Sequence, residues 1–462
     1  MRIYRCLSLV VVFLLLACGD DDGTKTPDGA TKTDGGTSST SDQSASDQAT
    51  GDASGQTDSV GTGDGPVAVS FDEIDVDKNP DKPAFVMAED LDGDNKKELI
   101  VSVFAGSSPV GNGLLAIYKM NGNLSTWTRQ VVVEKSAGIK FPNAVSVADI
   151  DGDGDKDLFV PYGFLACTPF NCGGLGWLEN TGGASQWVWH DVVKKGNALF
   201  YHHVELADMD GDKVKDIVTV GEAKGMFDGG KSETQIFCGD PSLPDRFKST
   251  PVKVGPGLGS LPRVVDIDKD GDLDIVSAQY FGTKTDSVAW YERAGADWNK
   301  HVVVTGLGPS IQLSLVPNLL GDGKAIPVLS NHTNTNDDAA APESAVFLLQ
   351  PPADLAKPWT PKKISTGIQS RKSPMMGPQA APGVFGWGDL DGDGDIDLLV
   401  SGDGDPNIYW LQQQAGGSFT TNILVKNMPQ SGVTAADLDG DGKVEAVVSS
   451  YEANRLVLFR RK

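Results

Sequence analysis

The stretch Asp149-Ile-Asp-Gly-Asp-Gly-Asp-Lys-Asp157, followed at once by the apolar run Leu158-Phe159-Val160, decides how this chain folds. Five carboxylates (Asp149, Asp151, Asp153, Asp155 and Asp157) alternate with other residues over nine positions. So dense a run repels itself as a strand, while Gly152 and Gly154 let the backbone turn sharply. A hard cation resolves the repulsion. The spacing offers carboxylates from the first, third, fifth and ninth positions, Asp149, Asp151, Asp153 and Asp157, with a backbone carbonyl at the seventh. Many flexible oxygens around one large ion is calcium chemistry.

The loop recurs. Asp90, Asp92, Asp94 and Glu98 repeat the four ligand positions, as do Asp208, Asp210, Asp212 and Asp216, and then Asp266, Asp268, Asp270 and Asp274. Later come Asp389, Asp391, Asp393 and Asp397, and finally Asp437, Asp439, Asp441 and Glu445. Between the fourth and fifth of these acidic loops, Asn318-Leu-Leu-Gly-Asp-Gly-Lys-Ala-Ile326 keeps the turn residues but has lost most of the acids, and it is expected to hold no ion. Seven copies, six of them acidic, begin at intervals of roughly fifty to seventy residues, a period that means a stacked or radial array.

Each copy has the same flanks. A short apolar segment enters the loop (Ala84-Phe-Val-Met87, Val145-Ser-Val-Ala148) and a β-branched run leaves it (Leu99-Ile-Val-Ser-Val103, Ile217-Val-Thr-Val220). A third segment ends in aromatic or aliphatic residues, such as Leu175-Gly-Trp-Leu178 and Val288-Ala-Trp-Tyr291, and a fourth, such as Trp127 to Val133, is more polar. About four short strands per copy make one propeller blade, so the expected fold is an all-β, seven-bladed β-propeller over residues 67–462. Only two strands follow the last loop, and an orphan strand, Val67-Ala-Val-Ser-Phe71, precedes the first. Pairing the orphan beside Arg455-Leu-Val-Leu-Phe459 would complete the last blade and remove an open edge.

The pattern Asp-x-Asp-Gly-Asp-Gly-x-x-Asp between propeller strands resembles the FG-GAP/VCBS repeat family, which also builds the headpiece of integrin alpha subunits. The resemblance covers residues 67–462 and departs at Asn318–Ile326. It implies that each calcium loop joins the first two strands of a blade on the lower face, and that partners bind the opposite face. About six structural calcium ions are expected, as ligands whose removal lowers stability. Extracellular sites of this kind bind at about 10⁻⁴ to 10⁻³ M.

The chain opens with the basic Met1-Arg-Ile-Tyr-Arg5 and an apolar run from Leu7 to Leu16, the plan of a signal peptide, and its core is too short to span a membrane. Leu15-Leu-Ala-Cys18 resembles a bacterial lipobox, so residues 1–18 are expected to be a lipoprotein signal with Cys18 acylated. Residues 19–66, almost wholly Asp, Gly, Ser, Thr, Ala and Gln, are expected to form a disordered tether spanning roughly 40 Å. The implied location is extracytoplasmic, on an outer membrane or cell surface. The formal charge of −24 argues against nucleic acid and anionic lipid as partners. Of five cysteines, Cys167 and Cys172 are spaced for a small disulfide, and Cys238 reads as a buried small hydrophobe.

Aromatic residues crowd the loops opposite the acidic ones: Phe104, Phe141, Tyr162, Phe164, Phe170, Phe200, Tyr201, Phe227, Tyr280 and Phe281. They suggest a platform for a glycan or protein ligand, or plugs between blades. Trp177, Trp290 and Trp410 recur in the third strand and read as inter-blade packing, and His190 and His301 occupy matching fourth-strand positions. The segment Gly367 to Gly383, with Arg371, is a second candidate surface. The resulting expectation is a non-catalytic binding or adhesion module. The alternative is a carbohydrate-active lyase or dehydratase using His202 or His203, of which at most one faces the channel because adjacent strand residues point to opposite faces. No Ser-His-Asp triad signature, zinc motif or phosphate loop is present.

Overall fold

The computed structural model describes residues 69–104, 111–164, 171–223, 231–280, 286–336, 338–373 and 377–462. The leader, Cys18, the tether, Cys167, Phe170, Phe227 and Phe281 lie outside the described residues.

Seven four-stranded antiparallel sheets follow one another, and each except the last is taken from consecutive strands. Their first strands are Pro83–Glu89, Ser146–Ala148, Phe200–Ala207, Arg263–Val265, Ser310–Val316, Phe385–Gly388 and Ser431–Ala436. The second strands are Glu98–Val103, Asp157–Tyr162, Asp216–Ala223, Asp274–Ala278, Ile326–Asn331, Asp397–Ser401 and Glu445–Ser450. In the six acidic blades the ninth loop residue therefore opens the second strand. The β-branched runs behind it are almost completely buried, which suits strands covered on both faces.

Seven apolar clusters hold the sheets together, each shared by two adjacent blades all the way round the ring. Trp177 packs with Tyr201 and Phe237 of the next blade, Trp290 with Leu313 and Leu329, and Trp410 with Val433 and Val457. Each of these tryptophans fills a blade interface.

The last blade is closed by a strand from the other end of the chain, in the order Phe71–Asp77, Arg455–Arg461, Glu445–Ser450, Ser431–Ala436. Val67 and Ala68 of the expected segment lie outside the described residues; Ser70 O accepts Lys462 N–H at 3.0 Å, and the strand continues past Phe71 to Asp77. Register explains the extension: Phe71 lies opposite Arg461 and Asp72 opposite Arg460, so an acidic strand pairs with a basic one. Ile74 and Val76 supply its apolar side, against Leu456 and Leu458.

The segment Gly367 to Gly383 contributes a two-stranded hairpin, Arg371–Ser373 with Gly377–Gln379, before a cis Ala381–Pro382 bond.

Candidate functional site

Two faces of the ring carry chemistry. On the lower face the first loop acid shapes the turn: Asp149 Oδ1 accepts the Gly152 N–H at 2.7 Å and Oδ2 accepts that of Gly154 at 3.2 Å. The fourth and sixth positions are left-handed, with φ of 82° at Gly152 and 98° at Gly154, a region glycine enters without strain. The ninth acid does different work. Asp157 Oδ2 accepts Ile150 N–H and Oδ1 accepts Asn180 N–H, both at 2.8 Å. Asp216, Asp274 and Asp397 repeat the pattern, each tying the loop to the third strand. Burial pushes these carboxyls up, to about 6 at Asp157 and Asp274 and about 7 at Asp397 and Glu445.

Three oxygens lie within 4.8 Å of one another in each of the groups Asp149–Asp151–Asp157, Asp208–Asp210–Asp216, Asp266–Asp268–Asp274 and Asp389–Asp391–Asp397, and in Asp90–Asp92–Asp94 of the first loop. Ligands 2.3–2.6 Å from one ion stand at most about 5 Å apart, so these sets fit a hard divalent cation. The fifth-position acids Asp153, Asp212, Asp270 and Asp393 stand outside those tight sets, each accepting a backbone N–H two residues on. In the first loop it is Glu98 that stands apart, accepting Leu91 N–H at 2.9 Å. The degenerate loop keeps its turn through Gly323 N–H to Asn318 Oδ1 at 2.8 Å, and Lys324 pairs with Asp322 at 3.0 Å.

The upper face is defined by topology: residues at the end of each second strand or just beyond it lie opposite the acidic loops. Phe104, Phe164, Glu222, Tyr280, His332, Asp403 and Tyr451 occupy these ends, one per blade, and form a ring around the mouth. Its one side is aromatic. The Phe104 ring meets Phe85, Phe141, Phe164 and Tyr451 at centroid distances of 5.2 to 6.5 Å. Its other side is acid and base. His332 Nδ1–H donates to Pro382 O at 2.7 Å, and Nε2 stands 3.5 Å from Asp403 Oδ2. Tyr280 lies 5.4 Å from the His332 ring, and burial, with Asp403 and Glu222 nearby, raises its hydroxyl pKa. Glu222 is buried, its two oxygens lack a hydrogen bond among the described residues, and His202 Nδ1 stands 3.5 Å from Oε2. Arg371 pairs with Glu452 at 2.7 Å on the same rim.

Of the sequence-selected aromatics, Tyr162, Tyr201, Phe141 and Phe200 are buried, whereas Phe104, Phe164 and Tyr280 are half-buried at the mouth. Glu222, Asp403 and Tyr451 were not anticipated. Their signal was positional, since each follows the β-branched run of its repeat.

His202 and His203 separate as strand geometry requires, at a bulge in Phe200–Ala207. His202 packs edge-on against Phe164 and Phe200. His203 lines an axial cavity of about 130 Å³ with Phe85, Val145, Leu261, Arg263 and Gln312. There Arg263 donates to His203 Nε2 at 2.7 Å and also pairs with Glu205, and Ser146 Oγ lies 3.4 Å from His203 Nδ1. Burial holds the His203 imidazole below its ordinary range. Glu205 also suffers desolvation, but the adjoining imidazole and guanidinium bring its carboxyl down to about 2.

Cys172 is disulfide-bonded. Cys238 is a free, half-buried thiol rather than a buried one, because it faces the acidic loop of its blade.

Fold and loops together define a seven-bladed β-propeller whose inner strand pairs are joined by acidic turns. A family profile described as FG-GAP-like repeat matches residues 90–160 and 389–448, which lie in blades 1 and 2 and in blades 6 and 7 of the propeller. Comparison with curated proteins finds no match. Among solved structures, an alpha-L-arabinanase of Penicillium chrysogenum complexed with arabinobiose is similar at 11% identity and TM-score 0.46, covering 86% of this chain and 98% of its own. The GH93 alpha-L-arabinofuranosidase of Fusarium graminearum is similar at 10% identity and TM-score 0.41, covering 85% and 97%. A chain of the S. cerevisiae assembly of dbp5, nup159 and gle1 is similar at 8% identity and TM-score 0.43, covering 85% and 95%.

Proposed function

We propose that this propeller is a calcium-stabilised, extracytoplasmic binding module that takes a glycan at its upper mouth. It is anchored to a bacterial outer membrane or cell surface through acylated Cys18. The observation that carries the reading is the ring of seven strand ends, half aromatic around Phe104 and half polar from Glu222 to Asp403. Ring faces accept the apolar side of a sugar, and buried carboxylates accept hydrogen bonds from its hydroxyls. Calcium in the acidic loops would neutralise the lower face and brace each inner strand pair, leaving the mouth as the recognition surface. The module then needs no chemistry of its own.

A catalytic role for His203 is disfavoured on size and protonation. A cavity of about 130 Å³ falls short of the ~300 Å³ at which small-molecule pockets begin. The His203 Nε2 that would abstract a proton is already engaged, 2.7 Å from Arg263 Nη1 and 3.1 Å from Glu205 Oε1. Glycan-array binding without turnover, lost in Phe104→Ala and kept in His203→Ala, supports the binding module. Release of product from an acidic polysaccharide, abolished by His203→Ala, sinks it. Binding of a protein ligand with no glycan retained would assign the mouth to the other partner class.

A further inference from the structure

In each acidic blade one residue of the third strand faces the loop, the one that follows the residue paired just behind the ninth acid. Tyr118 pairs with Leu99, so Lys119 faces the first loop; Leu178 pairs with Leu158, so Glu179 faces the second. By the same register Cys238, Glu292, Gln412 and Arg460 face the loops of blades 3, 4, 6 and 7. The contacts agree. The Lys119 ammonium touches Asp92 and lies 3.5 Å from Asp94 and 3.9 Å from Glu98, inside the carboxylate set. Gln412 Nε2 donates to Asp391 Oδ2 at 2.6 Å, and Arg460 Nη2 pairs with Asp441 at 2.7 Å. In blades 2 and 4 the same register position brings a further carboxylate to the loop, Glu179 and Glu292.

Those two glutamates are held alike. His190 Nε2 lies 2.8 Å from Glu179 Oε2 with its ring stacked on Trp177 at 4.3 Å. His301 Nε2 lies 2.7 Å from Glu292 Oε2 with its ring stacked on Trp290 at 4.9 Å. An imidazole that fixes one carboxylate oxygen leaves the other to turn toward an ion, the usual support for a ligating carboxylate.

We propose that this third-strand residue ranks the loops as calcium sites: Glu179 and Glu292 complete tight sites in blades 2 and 4, whereas Lys119 and Arg460 are tethered counter-ions that weaken those of blades 1 and 7. The ranking rests on the calcium reading of the loops. A carboxylate adds an oxygen ligand and a negative charge; an ammonium or guanidinium among the same acids must be displaced before a divalent ion enters. Loops 3 and 6, faced by a thiol and an amide, fall between.

Equilibrium dialysis of the intact chain against calcium from roughly 10 µM to roughly 3 mM brackets the range of such sites. Terbium luminescence sensitised by Trp177, Trp290 and Trp410, which occupy matching third-strand positions, reports on blades 2, 4 and 6. The expected result is stepwise uptake, with two of these three sensitised sites filling first and the third later. Lys119→Gln should tighten one late site by about tenfold, and Glu179→Gln and Glu292→Gln should each weaken one early site by roughly ten- to a hundredfold. Lys119 is half-exposed, so Lys119→Gln remains informative even if a glutamate variant misfolds. Uptake at one common affinity, or a Lys119→Gln titration identical to that of the unaltered chain, overturns the ranking alone. No uptake at any loop overturns the calcium reading and the ranking with it.

Discussion

Arg455, in the last strand of the chain, holds Glu73 of the first strand with Nη1 at 2.6 Å from Oε1, and its Nε pairs with Asp75. The Arg455 hydrogen bond keeps the Asp75 carboxyl below its ordinary range. Both partners are partly exposed, so Arg455→Ala should cost only about 1 kcal/mol. Deleting residues 71–77 is a different matter, because it uncovers Arg455–Arg461, the apolar third strand of the last blade, where every other blade presents a more polar fourth strand as its outer edge. The deletion variant should self-associate in light scattering, while Arg455→Ala stays monomeric with a slightly lowered Tm. A monomeric deletion variant of unchanged Tm would mean the clasp is dispensable.

The ninth loop acids are pins as much as ligands. Asp397 accepts Leu390 N–H at 3.1 Å and Gln413 N–H at 2.8 Å while fully buried. Asn in its place turns one acceptor into a donor facing an N–H, a loss of about 1–3 kcal/mol. Asp393, outside the tight oxygen set, has no such inter-strand duty. Urea denaturation in excess chelator should therefore separate Asp397→Asn, which is destabilised with or without calcium, from Asp393→Asn, which resembles the parent chain once calcium is removed.

The acidic loops, the inner strands and the closure of the ring were legible because they depend on charge spacing and on β-branched runs that repeat. The closing strand runs on from the apolar Val69 and Phe71, which pack on the last interface, through the acidic Asp72, Glu73 and Asp75. In the folded ring, Asp72, Glu73 and Asp75 are drawn to a basic edge that only register reveals. The mouth was half legible. Phe104, Phe164 and Tyr280 drew notice as aromatics, whereas Glu222 and Asp403 look like ordinary polar residues until seven strand ends are superposed. Lys119 is equally inconspicuous in the sequence, since a lysine on a strand is normally a solvated side chain.

Acid should weaken the axial network in a defined order. His203 is held below its ordinary range, so the unfolded chain binds a proton first, and stability is lost as pH falls through the usual histidine range. Glu205, at about 2, contributes stability present above its unfolded value, which is lost as pH falls from about 4.5 toward 2. The carboxylate step is on the order of 3 kcal/mol. In chelator, where loop ions play no part, Glu205→Gln should flatten the pH dependence of Tm below pH 4.5, and a parallel curve would show that the pair contributes nothing.

Glu222 poses the sharpest test of the mouth. Its carboxylate is almost wholly buried and, among the described residues, accepts no hydrogen bond, with the His202 ring nitrogen 3.5 Å away, an arrangement that destabilises a fold. Strain of this kind persists at sites kept for binding. If Glu222 serves a ligand hydroxyl, Glu222→Gln removes a buried charge at almost constant volume. It should raise stability by roughly 1 kcal/mol or more while weakening glycan binding, because an amide replaces the charged acceptor. A residue retained for packing behaves the other way, losing stability and leaving affinity unchanged. Thermal melts and binding titrations of the same variant therefore give opposite signs under the two readings, and a loss of Tm with intact binding would remove Glu222 from the site.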